Sequence, residues 1–239
     1  MKTLIKNIFA AGLLISFAAC KQNDVNPQPD NGSLNVTNAV IGGATINLTA
    51  GTAPYLTSSS NAVSGNNYAF LPVPSGNTQI SLATPALAAT STSAAIPSVT
   101  YYTGNISVDK NAYYSLFLTG TSPSAVDNVQ IKETYTRTYP DSTFGVRFIN
   151  LSPGSNPISV NIKGAANGSE VGTLAYKAYS DFNKHPAKLV NPSYIFEFRD
   201  QVSGLLLTSY TLTTPYFHNV TLCLRGKTGA YGVILDNDY

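Results

Sequence analysis

The chain has 239 residues, only 11% of them charged, and a formal net charge of +2. The surplus is due to Lys2 and Lys6, because without residues 1–19 the basic and acidic residues are equal in number. A near-neutral body has no basic field for nucleic acid and no acidic field for a cationic partner, so neither is expected to bind.

Residues 1–19 are predicted to be a lipoprotein signal peptide. Lys2 and Lys6 precede the uncharged run Ile8–Phe17, which is too short for a transmembrane helix of about 20 residues. Ala18-Ala19-Cys20 resembles the lipobox of bacterial lipoproteins, although Phe17 stands where that family most often has leucine. The resemblance implies cleavage before Cys20, lipid on its thiol and attachment to the cell envelope, with the outer membrane expected and its face left open. The alternative is an ordinary signal peptide with a chance cysteine.

Residues 20–32 are predicted to be a flexible tether. They are polar, contain two prolines and show no apolar periodicity. Such a segment buries too little apolar surface to fold by itself.

From Ser33 onward the chain is predicted to be all-β. Short runs alternate apolar and polar residues, and Gly, Pro, Asn and Ser clusters separate them, as is typical of strands and turns. Alternation places Leu222 and the aromatics of Tyr194–Arg199 in a core, and it places Thr221, Glu197 and Arg199 in water. The Ala/Thr/Ser-rich stretch Pro85–Ala95 is predicted to be a loop.

Two repeats are predicted, over residues 33–135 and 144–239, with a linker at 136–143. Three segments match in the same order, which favours duplication. Seven or so short strands per repeat indicate two tandem immunoglobulin-like β-sandwiches, with a barrel as the alternative. The matched segments are Leu34–Asn38 with Val146–Asn150, Ala44–Leu48 with Ile158–Ile162, and Tyr114–Gly120 with Val220–Gly226.

The second repeat also resembles a known family. Phe144–Pro153, the alternating residues near Val160 and then Asn191–Phe198 are similar to the domain of unknown function numbered 4397. The resemblance implies a domain that occurs in tandem on bacterial envelope and secreted proteins, and it implies no assigned activity.

The sequence lacks the common catalytic and metal-binding motifs, so we expect no enzyme, no cofactor and no metal site. Its only histidines, His185 and His218, are predicted to lie on the surface or in turns. Cys223 takes the place of Phe117 in the other repeat and is predicted to be buried and inert. The acids Asp236 and Asp238 are predicted to be solvated charges.

The remaining candidates concern binding and modification. Adjacent tyrosines should point to opposite faces of a strand, and Tyr101 and Tyr113 are the candidates for facing a ligand. Asp141-Ser142-Thr143 resembles a short O-glycosylation signal at Ser142. We expect a non-catalytic binding, adhesion or spacer module that contacts the membrane through lipid and a protein or glycan at the cell surface. The alternatives are a glycan-binding accessory protein and, less favoured, a hydrolase, which would need a facing pair of carboxyls.

Overall fold

The computed structural model describes residues 30–51, 62–134, 139, 142–187, 193–213 and 218–237. Within these ranges no helix has the length and apolar character needed to cross a membrane. The first eight strands are β1 Asn31–Asn38, β2 Ile46–Ala50, β3 Ala62–Val63, β4 Asn67–Pro74, β5 Gly76–Ala83, β6 Thr100–Val108, β7 Tyr113–Ser122 and β8 Ala125–Lys132. The next eight are β9 Thr143–Asn150, β10 Ile158–Ile162, β11 Val171–Leu174, β12 Asn183–Pro186, β13 Ser193–Asp200, β14 Leu206–Thr213, β15 Asn219–Lys227 and β16 Ala230–Asn237.

The first eight strands form a β-sandwich, called sandwich 1. One sheet has the order β4-β1-β7-β8 and the other β3-β2-β5-β6, and β1 pairs with β7 in parallel. Apolar residues at alternate positions of both sheets fill the space between them, as the period of two requires. The buried set includes Leu34, Val36, Ile46, Leu48, Leu82, Leu116 and Leu118.

The last eight strands repeat this arrangement as sandwich 2. Its sheets have the orders β12-β9-β15-β16 and β11-β10-β13-β14, and β9 pairs with β15 in parallel. The prediction of an all-β chain with two tandem sandwiches is therefore confirmed. The predicted core faces are also confirmed, because the buried set includes Phe148, Val160, Tyr194, Phe196, Phe198, Val220, Leu222 and Leu224.

Strand register supports the predicted duplication. Val36 pairs with Leu116 in sandwich 1, and Phe148 pairs with Leu222 in sandwich 2. At the following turn, a side chain at Gly120 would collide with the Ala125 carbonyl, and Gly226 stands in the same relation to the Ala230 carbonyl. Both glycines have a positive φ that favours glycine.

The boundaries and one match need correction. β2 begins at Ile46, so Ile46 rather than Ala44 is the counterpart of Ile158. The predicted tether runs to Gly32, but β1 already begins at Asn31, and Thr143 of the predicted linker belongs to β9.

Tyr139, in the middle of the predicted linker, is packed against the fold rather than free. It is buried, and its hydroxyl donates a hydrogen bond to Asn219 Oδ1 at 2.7 Å. The Lys184 ammonium lies 5.2 Å from the centre of its ring. Tyr139 itself therefore packs against sandwich 2.

The two sandwiches pack face to face through their β4-β1-β7-β8 and β12-β9-β15-β16 sheets. These sheets are consequently buried on both sides, and the strands at their centres show almost no exposed position. An apolar cluster lies between the sheets, formed by Ala39, Phe117, Ile131, Ile149, Leu151, Cys223 and Ile234.

Two contacts across this interface show that β7 and β9 run in the same direction. Arg147, in the middle of β9, bonds to Glu133, which lies beside the first residue of β7. Leu151, just after β9, accepts a hydrogen bond from Thr119 near the end of β7. β1 pairs in parallel with β7 and β15 pairs in parallel with β9, so all four central strands run in the same direction. Because the two sheets face each other with their strands in the same direction, an approximate two-fold axis along the strands relates the sandwiches.

The molecule therefore has two distinct ends. The chain enters at Asn31, at the end where β1, β7, β9 and β15 begin. The opposite end, called the loop end, carries the β5–β6 hairpin, because Ala83 pairs with Asn47 near the start of β2. It also carries the β13–β14 turn, because Asp200 pairs with Ile158 at the start of β10.

Candidate functional site

Several predicted sites lie at or beyond the edge of the described chain. Cys20 and Asp238 lie outside the described residues, and their assignments stay predictions. Ser142 is exposed and has a φ of 55°, but Asp141 of the same triplet lies outside the described residues. Glycosylation at Ser142 likewise stays a prediction.

The tyrosine assignment is wrong for Tyr101. This residue is 6% exposed and packs in the core of sandwich 1, where its hydroxyl accepts a hydrogen bond from the Ala44 amide at 2.9 Å. It therefore cannot face a ligand. Tyr113 is half-buried, while its neighbour Tyr114 packs inward as alternation requires.

His185 is not the surface residue that the sequence suggested. It lies on β12, is 6% exposed and packs against the rings of Phe144, Tyr194 and Phe196. Its Nε2 lies 3.2 Å from Glu170 Oε2. Burial acts to raise the pKa of Glu170, but His185 and Asn183 outweigh it and lower that pKa. His218 is exposed as predicted.

A buried ion pair connects the two sandwiches. Arg147 donates two hydrogen bonds of 2.9 Å to the Glu133 carboxylate, and both side chains are almost fully buried. Its Nε donates to Thr221 Oγ1 at 2.9 Å, and its guanidinium lies 4.6 Å from the centre of the Phe182 ring. The prediction that Thr221 faces water is wrong, because the facing sandwich covers it.

Asp236 is also buried at this interface, which corrects its prediction as a solvated charge. Its carboxylate accepts hydrogen bonds from Asn35 at 2.6 Å and Thr37 at 2.5 Å, both on β1 of the other sandwich. Burial raises its pKa to about 6. Cys223 is buried beside Phe117 as predicted, but it lies between the sandwiches rather than inside one of them.

The strongest candidate site lies on the outer face of sandwich 2 and is called the Glu197 pocket. It is a cavity of about 510 Å³ beneath the loop that follows β10. Asn161 on β10 and Glu197 on β13 are opposite one another in the sheet, so their side chains share one face. The lining residues are Asn161, Lys163, Gly164, Ala165, Asn167, Glu197, Arg199 and Gly204.

Buried polar groups form the floor of this pocket. Asn161 is 2% exposed and donates to Glu197 Oε2 at 3.0 Å, and Arg199 Nη2 reaches the same oxygen at 2.8 Å. Hydrogen bonds from Arg199 and Asn161, with the charge of Lys163, lower the pKa of Glu197. Glu197 is 8% exposed, so its predicted position in water is wrong.

A second cleft, of about 650 Å³, lies at the loop end on the other side of the β13–β14 turn. Asp200 orders this turn by accepting hydrogen bonds from the Ser203 amide and hydroxyl, while Asn156 donates to its other oxygen. The hydrogen bond from the Ser203 amide contributes most to lowering the pKa of Asp200 to about 2. Leu205 and Leu206 add exposed apolar surface beside it.

A scan against models of protein families found no match to this chain, and a search of curated proteins found no related sequence. Within the part of the chain that the structure describes, no group of three or more His, Cys, Asp or Glu side chains could hold a metal ion.

Sequence reasoning missed the Glu197 pocket because charged residues on alternate strand positions usually face solvent. One signal was present in the matched repeats. Thr49 and Ser81 are a cross-strand pair in sandwich 1, and Asn161 and Glu197 are the pair at the same place in sandwich 2. Glu197 carries a charge at the position that matches the uncharged Ser81, and this change marks the face where the repeats differ.

Proposed function

We propose that this chain is a non-catalytic lipoprotein of the cell envelope that acts as a binding module held off the outer membrane. Cleavage before Cys20 and lipid on its thiol would anchor it, since more than one acyl chain makes membrane attachment stable. The resemblance of the second repeat to the domain of unknown function numbered 4397 belongs to the same proposal, and the identical strand orders of the two sandwiches support tandem use of one domain type.

The observation that carries the proposal is that the two-sandwich body has two different ends. The chain enters at Asn31, whereas the β13–β14 turn and the cleft beside Asp200 lie at the loop end. The buried Arg147–Glu133 pair and the apolar cluster fix the sandwiches to each other. The loop end is therefore the end of this body that is farther from Asn31.

Metabolic labelling with a fatty-acid analogue tests the anchor. The full-length chain should be labelled and found in the membrane fraction, and Cys20→Ser should lose the label and leave that fraction. Cys223→Ala is the matched control, because it removes the other cysteine and should stay labelled. Labelling of Cys20→Ser at the wild-type level would contradict the proposal.

A further inference from the structure

The floor of the Glu197 pocket carries one acceptor, Asn161 Oδ1, that receives no hydrogen bond from the described residues. Asn161 Nδ2 donates to Glu197 Oε2 and to the Ile162 carbonyl, and these two acceptors fix the orientation of the amide. Asn161 Oδ1 is therefore the acceptor side; it is buried, and no donor among the described residues bonds to it. Buried polar atoms of folded proteins are rarely left unpaired, and an ordered water or a bound ligand commonly supplies the missing donor.

The charges of the pocket select the kind of donor. Glu197 and Arg199 form an ion pair, and Arg199 also donates to the Gly204 carbonyl at 2.9 Å. Lys163 is exposed at the rim, which leaves the pocket with one surplus positive charge. This balance disfavours a metal ion and favours a ligand with neutral hydroxyl donors and a negative group.

We propose that the Glu197 pocket binds an acidic saccharide, whose hydroxyls donate to Asn161 and Glu197 and whose carboxylate faces Lys163. The inference deepens the proposed binding role and rests on it. A cavity of about 510 Å³ is within the usual range of roughly 300–1,000 Å³ for small-molecule sites. Beyond Gly204, the cleft beside Leu205 and Leu206 gives further sugar units an apolar surface to pack on.

Glycan-array binding followed by titration calorimetry tests this proposal on the full-length chain in detergent. The array should carry oligosaccharides of glucuronic and galacturonic acid together with their carboxyl-reduced, neutral counterparts. The wild-type chain should bind acidic members, and Asn161→Ala should weaken that binding about tenfold or more, through loss of a buried hydrogen bond. Lys163→Ala should remove the preference for the acidic over the neutral form.

Thr49→Ala is the matched control, because Thr49 occupies in sandwich 1 the place of Asn161 in sandwich 2, and its binding should equal that of the wild type. Absence of binding to every array member would overturn the proposal, as would a preference for neutral members. Binding unchanged in both Asn161→Ala and Lys163→Ala would also overturn it, by placing the ligand elsewhere. Fatty-acid labelling at Cys20 is read separately, so a failed pocket and a failed anchor are distinguishable.

Discussion

The two sandwiches share one strand order but differ at matched positions of their outer sheets. In sandwich 1 the cross-strand pair is Thr49 and Ser81, both uncharged, and Thr49 is exposed. In sandwich 2 the pair is Asn161 and Glu197, both buried, and it forms the floor of a pocket. The inward residues are apolar in both repeats, because burial of apolar side chains in the core stabilises each sandwich. The outward residues do not have to be apolar, and at these positions sandwich 2 carries the polar and charged side chains that line the Glu197 pocket.

The facing sheets differ in a similar way. Ser115 pairs with Ile131 in sandwich 1, and the matching strands of sandwich 2 pair Thr221 with Asp236. Arg147 stands on β9 where β1 has Asn35. The interface is therefore built from the same face of both repeats, yet its charges come mostly from the second. Substitutions at these positions test how far that asymmetry holds the sandwiches together.

The largest expected effect is that of Arg147→Ala. It leaves the Glu133 carboxylate buried without its partner, and breaking a buried ion pair in this way costs about 3–5 kcal/mol in the free energy of unfolding. Chemical denaturation of the full-length chain measures the cost. The control is Lys132→Ala, which removes the exposed pair with Asp109 and should change stability far less, because solvent screens an exposed pair. Equal costs for the two variants would contradict a structural role for Arg147.

A smaller effect is expected of Thr221→Ala. The substitution removes the acceptor of the Arg147 Nε hydrogen bond at a fully buried position. Losing this buried hydrogen bond to a charged donor should cost about 1–3 kcal/mol. Thr211→Ala, at an exposed position of β14, should stay within about 0.5 kcal/mol, and thermal melts can compare the two. If both variants melt like the wild type, the interface does not enclose Thr221.

Thr221 and Leu222 also show which features of the structure the sequence pattern predicts and which it does not. Alternation identified the strands and the inward set around Leu222, because each sandwich must bury one face of each sheet. It assigned Thr221 to water, because the period of two separates faces without saying what covers the second face. The covering surface is another sandwich. The signals that could have revealed it are Phe117, Ile149 and Cys223, apolar residues on faces that alternation treats as exposed.

His185 and Asp236 were misplaced for a related reason. A turn-like Asn-Lys-His-Pro sequence suggested a surface, but its residues pair with β9 as a short edge strand and bring the imidazole against the core aromatics. Asp236 is predicted to be solvated because two acids without a glycine-bearing loop are weak evidence for a calcium site. Its burial depends on Asn35 and Thr37, which are about 200 residues earlier in the chain and lie beyond any local pattern.

Asp236 gives the last expected change, and its size depends on pH. Burial raises its pKa from 3.8 to about 6, Arg147 acts in the opposite direction, and Glu133 adds to the rise. The folded state therefore holds a proton that the unfolded state releases at lower pH. The resulting stabilisation is complete below about pH 3.8 and is lost as the pH rises through about 6.

Asp236→Asn should remove this dependence. The amide keeps the acceptor for Asn35 and, as a neutral group, resembles the protonated acid, so the variant should gain on the order of 3 kcal/mol over the wild type at pH 8. At pH 5, where most of the wild-type side chain is protonated, the difference should shrink. Subtracting the two denaturation curves at each pH cancels the contributions of all other titrating groups, including Asp200, whose lowered pKa of about 2 places its effect below this window. A wild-type chain that is as stable relative to the variant at pH 8 as at pH 5 would mean that the Asp236 carboxylate is already ionised in the interface, held by Arg147 rather than by its two neutral partners on β1.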